Sequence, residues 1–155
     1  MKLKAMALVV GALAIGTIGL VNATPVAART ANVQAAKLAP VTGKIHEIKM
    51  MGDAKGYRFE PANLTIKAGD GIKFIMVGAM GPHNVAFEAS KLAAPVKAQL
   101  TANLGTQKMA DLMSTMVMKN GESITVSFAK IPAGAYAYNC TPHLAMGMKG
   151  IITVQ

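Results

Sequence analysis

Four residues in the second half of the chain carry donor atoms that bind soft metal ions. Cys140, His143 and Met148 follow the spacing C-x2-H-x4-M, and His83 lies upstream in the turn-like stretch GPHNV. A trigonal site of one thiolate and two imidazoles, with a weak axial thioether, binds copper for electron transfer. The sulfur donors favour Cu(I), whereas the imidazoles keep Cu(II) accessible. These residues are therefore candidate ligands of one type 1 copper ion.

Other uses of the thiol and other metals have to be weighed against this interpretation. Cys140 is the only cysteine, which excludes a disulfide within one chain. A single thiol can pair between chains, lie buried as a small apolar residue, or bind a metal. Zinc suits the four donors poorly, because a thioether is a poor zinc ligand and structural zinc sites usually contain more thiolates. A thiolate-bridged pair of copper ions needs two cysteines.

Alternating apolar residues predict short strands around these donors. The alternation covers residues 45–50, 83–88, 123–128, 135–140 and 150–155. Two more alternating runs flank a turn within the stretch FEPANLTIKAGDGIKFIMV, which predicts a hairpin-like pair of strands with one inward face. Many short strands separated by turns containing Gly and Pro predict an all-β fold of the sandwich type.

Residues 89–118 interrupt the strand pattern with a stretch rich in Ala, Leu, Met, Lys and Gln, which favour helices. Pro95 and Gly105 divide this stretch into a short first piece and a stronger second piece. Apolar residues of the second piece recur at helical spacing, at Met109, Leu112, Met113 and Met116. The pattern predicts a largely helical insertion that packs on the sandwich between His83 and Cys140.

The segment YNCTPHLAMGMKGIITV resembles the C-terminal signature of the plastocyanin/pseudoazurin group of small blue-copper proteins, the cupredoxins. Upstream, FEPANLTIKAGDGIKF resembles the paired strands of that family, and GPHN resembles the turn that carries its first ligand. The resemblance covers residues 44–88 and 121–155 and implies the Greek-key β-sandwich of the cupredoxin fold. The insertion is longer than in plastocyanin or pseudoazurin and is similar to the helical flap of azurin-like and auracyanin-like members.

The resemblance implies roles for the candidate ligands. His83, Cys140, His143 and Met148 would hold one copper ion, with Met148 rather than Met146 as the axial ligand. His143 would lie near the surface as the exit route for the electron.

Residues beside the ligands also match supporting positions of the family, at Pro82, Asn84, Thr141 and Pro142. Asn84 and Thr141 are expected to tie the two ligand loops together, and the two prolines are expected to stiffen the turns. Partners are expected to dock on an apolar patch, hereafter the docking patch, formed by Met80, Leu144, Ala145 and Met146.

The N-terminus predicts export. Two lysines precede an uncharged apolar run at residues 5–21, and small-residue cleavage sites end at Ala23 and Ala28. We therefore expect a signal peptide at residues 1–28, cleaved after Ala23 or Ala28. An uncleaved anchor is the alternative, since the run is just short of the ~20 residues that comfortably span a bilayer. Either way the folded part lies outside the cytoplasm, for example in the periplasm.

The remaining chain is expected to divide into a flexible lead-in at residues 29–43 and a cupredoxin domain at residues 44–155. We expect no stable membrane insertion of this mature domain. The full chain carries 16 Lys and Arg against 7 Asp and Glu, and loss of two leader lysines leaves a net charge of about +7. A basic surface favours acidic partners. Nucleic acid is disfavoured, because the lysines are scattered, aromatic residues are few and no nucleic-acid motif is present.

Three functions are compatible with these features to different degrees. The first is a one-electron carrier that cycles between Cu(I) and Cu(II), with c-type cytochromes or copper enzymes such as nitrite reductase as partners by resemblance. The second is a protein that buffers or delivers Cu(I), which the twelve methionines favour. An enzyme is the weakest hypothesis, because a second catalytic copper needs additional histidines and only His46 remains.

Overall fold

The computed structural model describes residues 35–78 and 80–155, which form two β-sheets packed face to face with one α-helix beside them. The predicted β-sandwich is confirmed. Ten strands and one helix make up the regular structure of the described residues: β1 (Ile45–Asp53), β2 (Gly56–Glu60), β3 (Asn63–Ile66), β4 (Gly71–Val77), β5 (Ala86–Phe87), α1 (Ala94–Asn103), β6 (Lys108–Ala110), β7 (Met113–Ser114), β8 (Ser123–Ser127), β9 (Gly134–Asn139) and β10 (Lys149–Val154). Short 3-10 turns lie at Ala89–Lys91, Gly105–Gln107 and Thr141–Met146.

The first sheet has four strands in the order β2-β1-β4-β8. β1 and β4 run parallel, and the other neighbours run antiparallel. The register places Ile48 beside Phe74 and Phe74 beside Ile124, and all three side chains are fully buried. Alternate residues of these strands therefore supply one half of the core.

The second sheet has six strands in the order β3-β10-β9-β5-β7-β6. β3 runs parallel to β10, whereas β10 and β9 are antiparallel neighbours. The Tyr138 ring of β9 lies against the rings of Phe59 and Phe74 from the first sheet, with centroid distances of 4.7 and 5.4 Å. The Tyr138 hydroxyl donates to the carbonyl oxygen of Ala62 at 2.9 Å, so this buried polar group is satisfied. Tyr138 thus joins the two sheets below the ends of the strands that lead to the candidate ligands.

The predicted hairpin between β3 and β4 is wrong, because these strands belong to different sheets. β3 pairs with β10, and β4 pairs with β1 and β8. The inward face was correct, since Ile66 and Ile72 are both buried. Alternation identifies the face of a strand that meets the core, but it does not identify the strand that pairs with it.

The inserted segment contains a helix between His83 and Cys140, as predicted, but the helix covers only part of residues 89–118. α1 ends shortly before Gly105, and Pro95 stands in its first turn, where a missing backbone N–H costs nothing. The second piece forms the strands β6 and β7, so the helical stripe assigned there is wrong. Met109 is 53% exposed, and Leu112 has a φ of 59°, which a right-handed helix cannot contain.

Residues 35–44 have no helix or strand, yet part of this segment is attached to the sandwich. The N–H of Ala39 donates to Asn103 Oδ1 at 3.1 Å, and the N–H groups of Thr42 and Gly43 both donate to the Gly69 carbonyl at 2.9 Å. Asn103 in turn donates to the carbonyls of Ser127 and Ala129, so the end of α1 and the lead-in are held together.

The predicted signal peptide at residues 1–28 lies outside the described residues, and the division into leader, lead-in and domain stays a prediction. Within residues 35–78 and 80–155, no helix has the length and apolar character needed to cross a membrane.

Candidate metal centre

Two chain segments meet at one end of the sandwich and bring the candidate ligands there. His83 lies between β4 and β5, where it forms an isolated antiparallel bridge with Val117. Cys140 directly follows β9, His143 lies in the 3-10 turn Thr141–Met146, and Met148 immediately precedes β10. Because β9 and β10 are antiparallel neighbours, the short connection between them holds three of the four candidates together.

His83, Cys140 and His143 form a buried cluster. One ligand atom from each residue lies within 4.8 Å of those of the other two. The Cys140 Sγ atom is 3.6 Å from His83 Nδ1 and 3.4 Å from His143 Nδ1. His83 and Cys140 are fully buried, and His143 is 6% exposed. Both imidazoles therefore direct the same nitrogen at one thiol in a site shielded from water.

Burial governs the charges in this cluster. It lowers the pKa of His83, which the nearby His143 lowers further, although the hydrogen bond to the Met80 carbonyl raises it. Burial also lowers the pKa of His143. Burial raises the pKa of the Cys140 thiol, with partial compensation from the backbone N–H groups of Asn84 and His143. At neutral pH the imidazoles are thus neutral, the form in which they bind metals, and a metal ion would displace the thiol proton.

The donors fit copper better than other common metals. Two neutral imidazoles converge on one thiol, and no carboxylate takes part in the cluster found among the described residues. Hard cations such as Mg²⁺ and Ca²⁺ require oxygen ligands, which this cluster does not offer. Imidazole and thiolate together suit copper or zinc, and a neighbouring thioether favours copper.

Met148 is fully buried, and its backbone is bonded to both neighbouring candidates. The N–H of Cys140 donates to the Met148 carbonyl at 3.0 Å, and the N–H of Met148 donates to the His143 carbonyl at 3.2 Å. Gly147 ends the 3-10 turn with a φ of 82°, a left-handed conformation that glycine adopts readily. These bonds fix the path of the loop from the thiol to the thioether.

Hydrogen bonds on both sides hold the His83 imidazole. Its Nε2 lies 2.9 Å from the carbonyl oxygen of Met80, while its Nδ1 faces Cys140. The backbone of His83 also exchanges two hydrogen bonds with Val117, at 3.0 and 2.9 Å. A histidine whose second nitrogen bonds to a carbonyl has a fixed ring orientation and tautomer, as metal-binding histidines usually do.

The structure also joins the two predicted supporting residues, Asn84 and Thr141, with two hydrogen bonds between their loops. Pro142 stands in the first turn of Thr141–Met146 and is exposed, and Pro82 is partly buried directly before His83. All four members of the docking patch are exposed: Met80 by 46%, Leu144 by 47%, Met146 by 61%, and also Ala145.

Sequence reasoning missed Tyr57, whose ring is stacked on the imidazole of His143. The ring centroids are 3.7 Å apart and the planes differ by 8°. Tyr57 covers one face of the His143 ring, which is 6% exposed, while the loop residues on both sides of His143 are exposed. The role of His143 as the exit route for the electron stays a prediction. The sequence offers little signal for this contact, because Tyr57 lies in β2, far along the chain from the turn that carries His143. Nothing in its neighbouring residues distinguishes it from an ordinary strand residue.

Comparisons with known proteins agree with this geometry. Residues 46–155 match the family described as copper binding proteins of the plastocyanin/azurin family. A plastocyanin of Nostoc punctiforme is 36% identical over 115 residues, which are 74% of this chain and 76% of that protein. A plastocyanin of Scenedesmus fuscus is 33% identical over 108 residues, which are 70% of this chain and 97% of that protein.

A solved structure is similar over the same part of the chain. The oxidised plastocyanin of Dryopteris crassirhizoma superimposes with a TM-score of 0.54 at 25% identity. The match covers 71% of this chain and 100% of that one.

Proposed function

The chain belongs to the plastocyanin/azurin family of copper-binding proteins, and we propose that it carries single electrons between redox partners outside the cytoplasm. Its cofactor is copper, as the donor pattern and the resemblance to cupredoxins predicted. The observation that carries the proposal is the buried meeting of Cys140 with His83 and His143 beside Met148. When bound, a single copper ion supplies the one-electron chemistry of the Cu(I)/Cu(II) couple.

In this proposal His83 Nδ1, Cys140 Sγ, His143 Nδ1 and the Met148 thioether are the ligands. The protein keeps these donors out of water and limits their movement, because their loops are hydrogen-bonded to one another. The sulfur and nitrogen donors therefore cannot move fully to the geometry that either Cu(I) or Cu(II) alone would prefer. A site of this kind reorganises little when an electron enters or leaves, which suits a carrier.

Partners would dock on the patch of Met80, Leu144, Ala145 and Met146. Exposed methionines and leucine form an adaptable apolar contact surface, and they lie on the loops that carry His83 and His143. Three exposed lysines lie near these loops: Lys149 directly follows Met148, Lys119 lies two residues beyond Val117, the bridge partner of His83, and Lys55 lies two residues before Tyr57, whose ring stacks on His143. Acidic redox proteins such as c-type cytochromes or copper reductases are therefore the proposed partners, with steering that weakens as salt increases.

The proposed location outside the cytoplasm rests on the predicted signal peptide. We also propose that the protein is not an enzyme, because a second, catalytic copper needs additional histidines and the third histidine, His46, contacts Asp70 instead. Its Nε2 lies 2.8 Å from a carboxylate oxygen of Asp70, far along the chain from the cluster.

The visible absorption of the copper-loaded protein, with copper quantified per chain, tests the site. One copper per chain with an intense thiolate-to-copper band is expected, and Cys140→Ser should abolish that band. Electron exchange with an acidic c-type cytochrome, followed by stopped flow at several salt concentrations, then tests the carrier role. Slow exchange that ignores ionic strength with every acidic partner would contradict the docking model.

A second candidate function is the handling of Cu(I) outside the cytoplasm, favoured by the exposed methionines Met80, Met118 and Met146 near the ligand loops. A carrier holds one copper in both oxidation states, whereas a delivery protein gives Cu(I) up readily. Competition with a Cu(I) chelator separates the two. Rapid loss of Cu(I), or binding of more than one Cu(I) that Met→Leu substitutions at these positions remove, would favour handling.

A further inference from the structure

The two histidines of the metal centre are held by different means. The His83 ring is fixed at its second nitrogen by the Met80 carbonyl, 2.9 Å from Nε2. For His143, the hydrogen bonds found among the described residues include only one ring contact, from Nδ1 to the Cys140 sulfur at 3.4 Å. A metal-binding imidazole normally needs a second contact to fix its orientation. A stacked aromatic ring can supply such a second contact.

The Tyr57 ring occupies the position that could do this. Its centroid lies 3.7 Å from that of His143, and the planes are within 8° of parallel. The same ring meets His83 edge-on, with a centroid distance of 6.0 Å and an interplanar angle of 63°. Tyr57 therefore restricts tilting of the His143 imidazole and keeps water away from its outer face.

The backbone beneath Tyr57 is shaped to hold it. Tyr57 lies near the start of β2 opposite Gly52 in β1, in the antiparallel register. A Cβ atom at Gly52 would clash with the backbone oxygen of Met80 and press against the Tyr57 ring. Gly52 thus leaves room both for Tyr57 and for the carbonyl that binds His83, so one point of β1 supports both histidines.

We propose that Tyr57 is a positioning residue of the metal centre, whose stacked ring holds the His143 imidazole with Nδ1 directed at Cys140 Sγ. It does for His143 what the Met80 carbonyl does for His83. The inference rests on the proposed role of His143 as a ligand, while the stacking itself is independent of the metal.

The test compares Tyr57→Leu, which removes the ring but keeps an apolar side chain, with Tyr57→Phe, which keeps the ring and removes only the hydroxyl. In the metal-free protein at pH 8, NMR signals of the His143 ring protons should lose their ring-current shift and sharpen or split in the Leu variant. The His83 signals, held by Met80, serve as an internal control. The Phe variant should match the wild type.

Copper-loaded protein provides a second readout. Stacked aromatic pairs contribute enough that copper affinity, measured by chelator competition, should fall roughly 2- to 10-fold in the Leu variant. The thiolate-to-copper spectrum and the reduction potential should change with it, and the Phe variant should restore all three. Far-UV circular dichroism checks that each variant is folded, and Tyr57→Met replaces the Leu variant if that one does not fold.

Two results would overturn the inference. One is a Leu variant whose His143 signals, spectrum and affinity all equal those of the wild type. The other is a Phe variant as impaired as the Leu variant, since that would assign the effect to the hydroxyl. A failure of the proposed ligand role would give a different result. If His143 is not a ligand, His143→Ala keeps copper bound, while the NMR signals of the metal-free wild type still report the stacking of Tyr57 on His143.

Discussion

Asn84 and Thr141, 57 residues apart in the chain, are joined by two hydrogen bonds across the metal centre. The N–H of Thr141 donates to Asn84 Oδ1 at 2.7 Å, and Asn84 Nδ2 donates to Thr141 Oγ1 at 3.2 Å. Asn84 is fully buried and follows His83, whereas Thr141 follows Cys140. One side chain therefore sets the distance between the segments that carry the first histidine and the thiol.

Replacing Asn84 with Ala should destabilise the metal-free protein by about 1–3 kcal/mol, because both hydrogen bonds are lost and a buried space remains. Copper retention should weaken as well, since the two ligand segments are no longer tied. Chemical denaturation measures the first effect and chelator competition the second. The matched control is Thr141→Ser, which keeps the hydroxyl and should stay within about 0.5 kcal/mol of the wild type. Equal stability of the two variants would contradict the proposed tie.

The identity of the axial ligand can be tested by a pair of substitutions. Met148→Gln should keep one copper per chain but lower the reduction potential, because an amide oxygen is a harder donor than a thioether and stabilises Cu(II) relative to Cu(I). Met146→Gln introduces the same group two residues away at an exposed position and should leave the potential unchanged. Voltammetry of both proteins decides the matter. A shift of the potential in the Met146 variant alone would show that Met146, and not Met148, is the axial ligand.

The parts of this protein that the sequence predicts well depend on local patterns. Alternation identified strands such as β1 and β8, and the C-x2-H-x4-M spacing works because one short loop carries three donors. The pairing of β3 with β10 was missed because it depends on residues far apart in the chain.

The inserted segment shows a second limit. Its helix-forming composition was real, but Gly105 and Leu112 adopt positive φ angles that end any helix there, and side-chain spacing alone does not report them. The stacking of Tyr57 on His143 was missed because it joins residues far apart in the chain, and β2 contacts the ligand loop only in the folded protein.

Close packing beneath β10 predicts the effect of a single methyl group. Gly150 lies opposite Tyr138, and a Cβ atom there would clash with the Ala62 carbonyl and press on the Tyr138 ring. Gly150→Ala should therefore destabilise the protein by about 1–3 kcal/mol. Because β10 begins directly after Met148, the shift should also alter the copper spectrum. The control is Ile151→Val at the adjacent exposed position, which should cost no more than about 0.5 kcal/mol. Thermal unfolding of both variants provides the comparison.

At the opposite end of the sandwich, Asp70 makes stability depend on pH. Its carboxylate accepts hydrogen bonds from His46 Nε2 at 2.8 Å and from the N–H groups of Lys67 and Lys44 at 3.0 and 2.9 Å. These bonds, that of His46 first, lower the pKa of Asp70 to about 2. A carboxylate whose pKa is lower in the folded than in the unfolded chain stabilises the fold above the unfolded pKa of about 3.9. That stabilisation disappears as the pH falls toward 2.

Asp70→Asn isolates this contribution, because the amide keeps the shape of the side chain but cannot ionise. The free energy of unfolding of the wild type should exceed that of the variant by on the order of 2 kcal/mol at pH 6 to 7. The difference should shrink between about pH 4 and pH 2 and vanish below, where Asp70 is protonated in the folded and unfolded chains alike. Urea denaturation of the metal-free proteins across this range measures it without any contribution from copper release. Glu122→Gln, at an exposed carboxylate bonded to the N–H groups of Met118 and Lys119, serves as the control and should show a much smaller pH-dependent difference. A difference between Asp70→Asn and the wild type that is constant from pH 7 to pH 2 would show that Asp70 stabilises the fold through hydrogen bonds that do not depend on its ionisation.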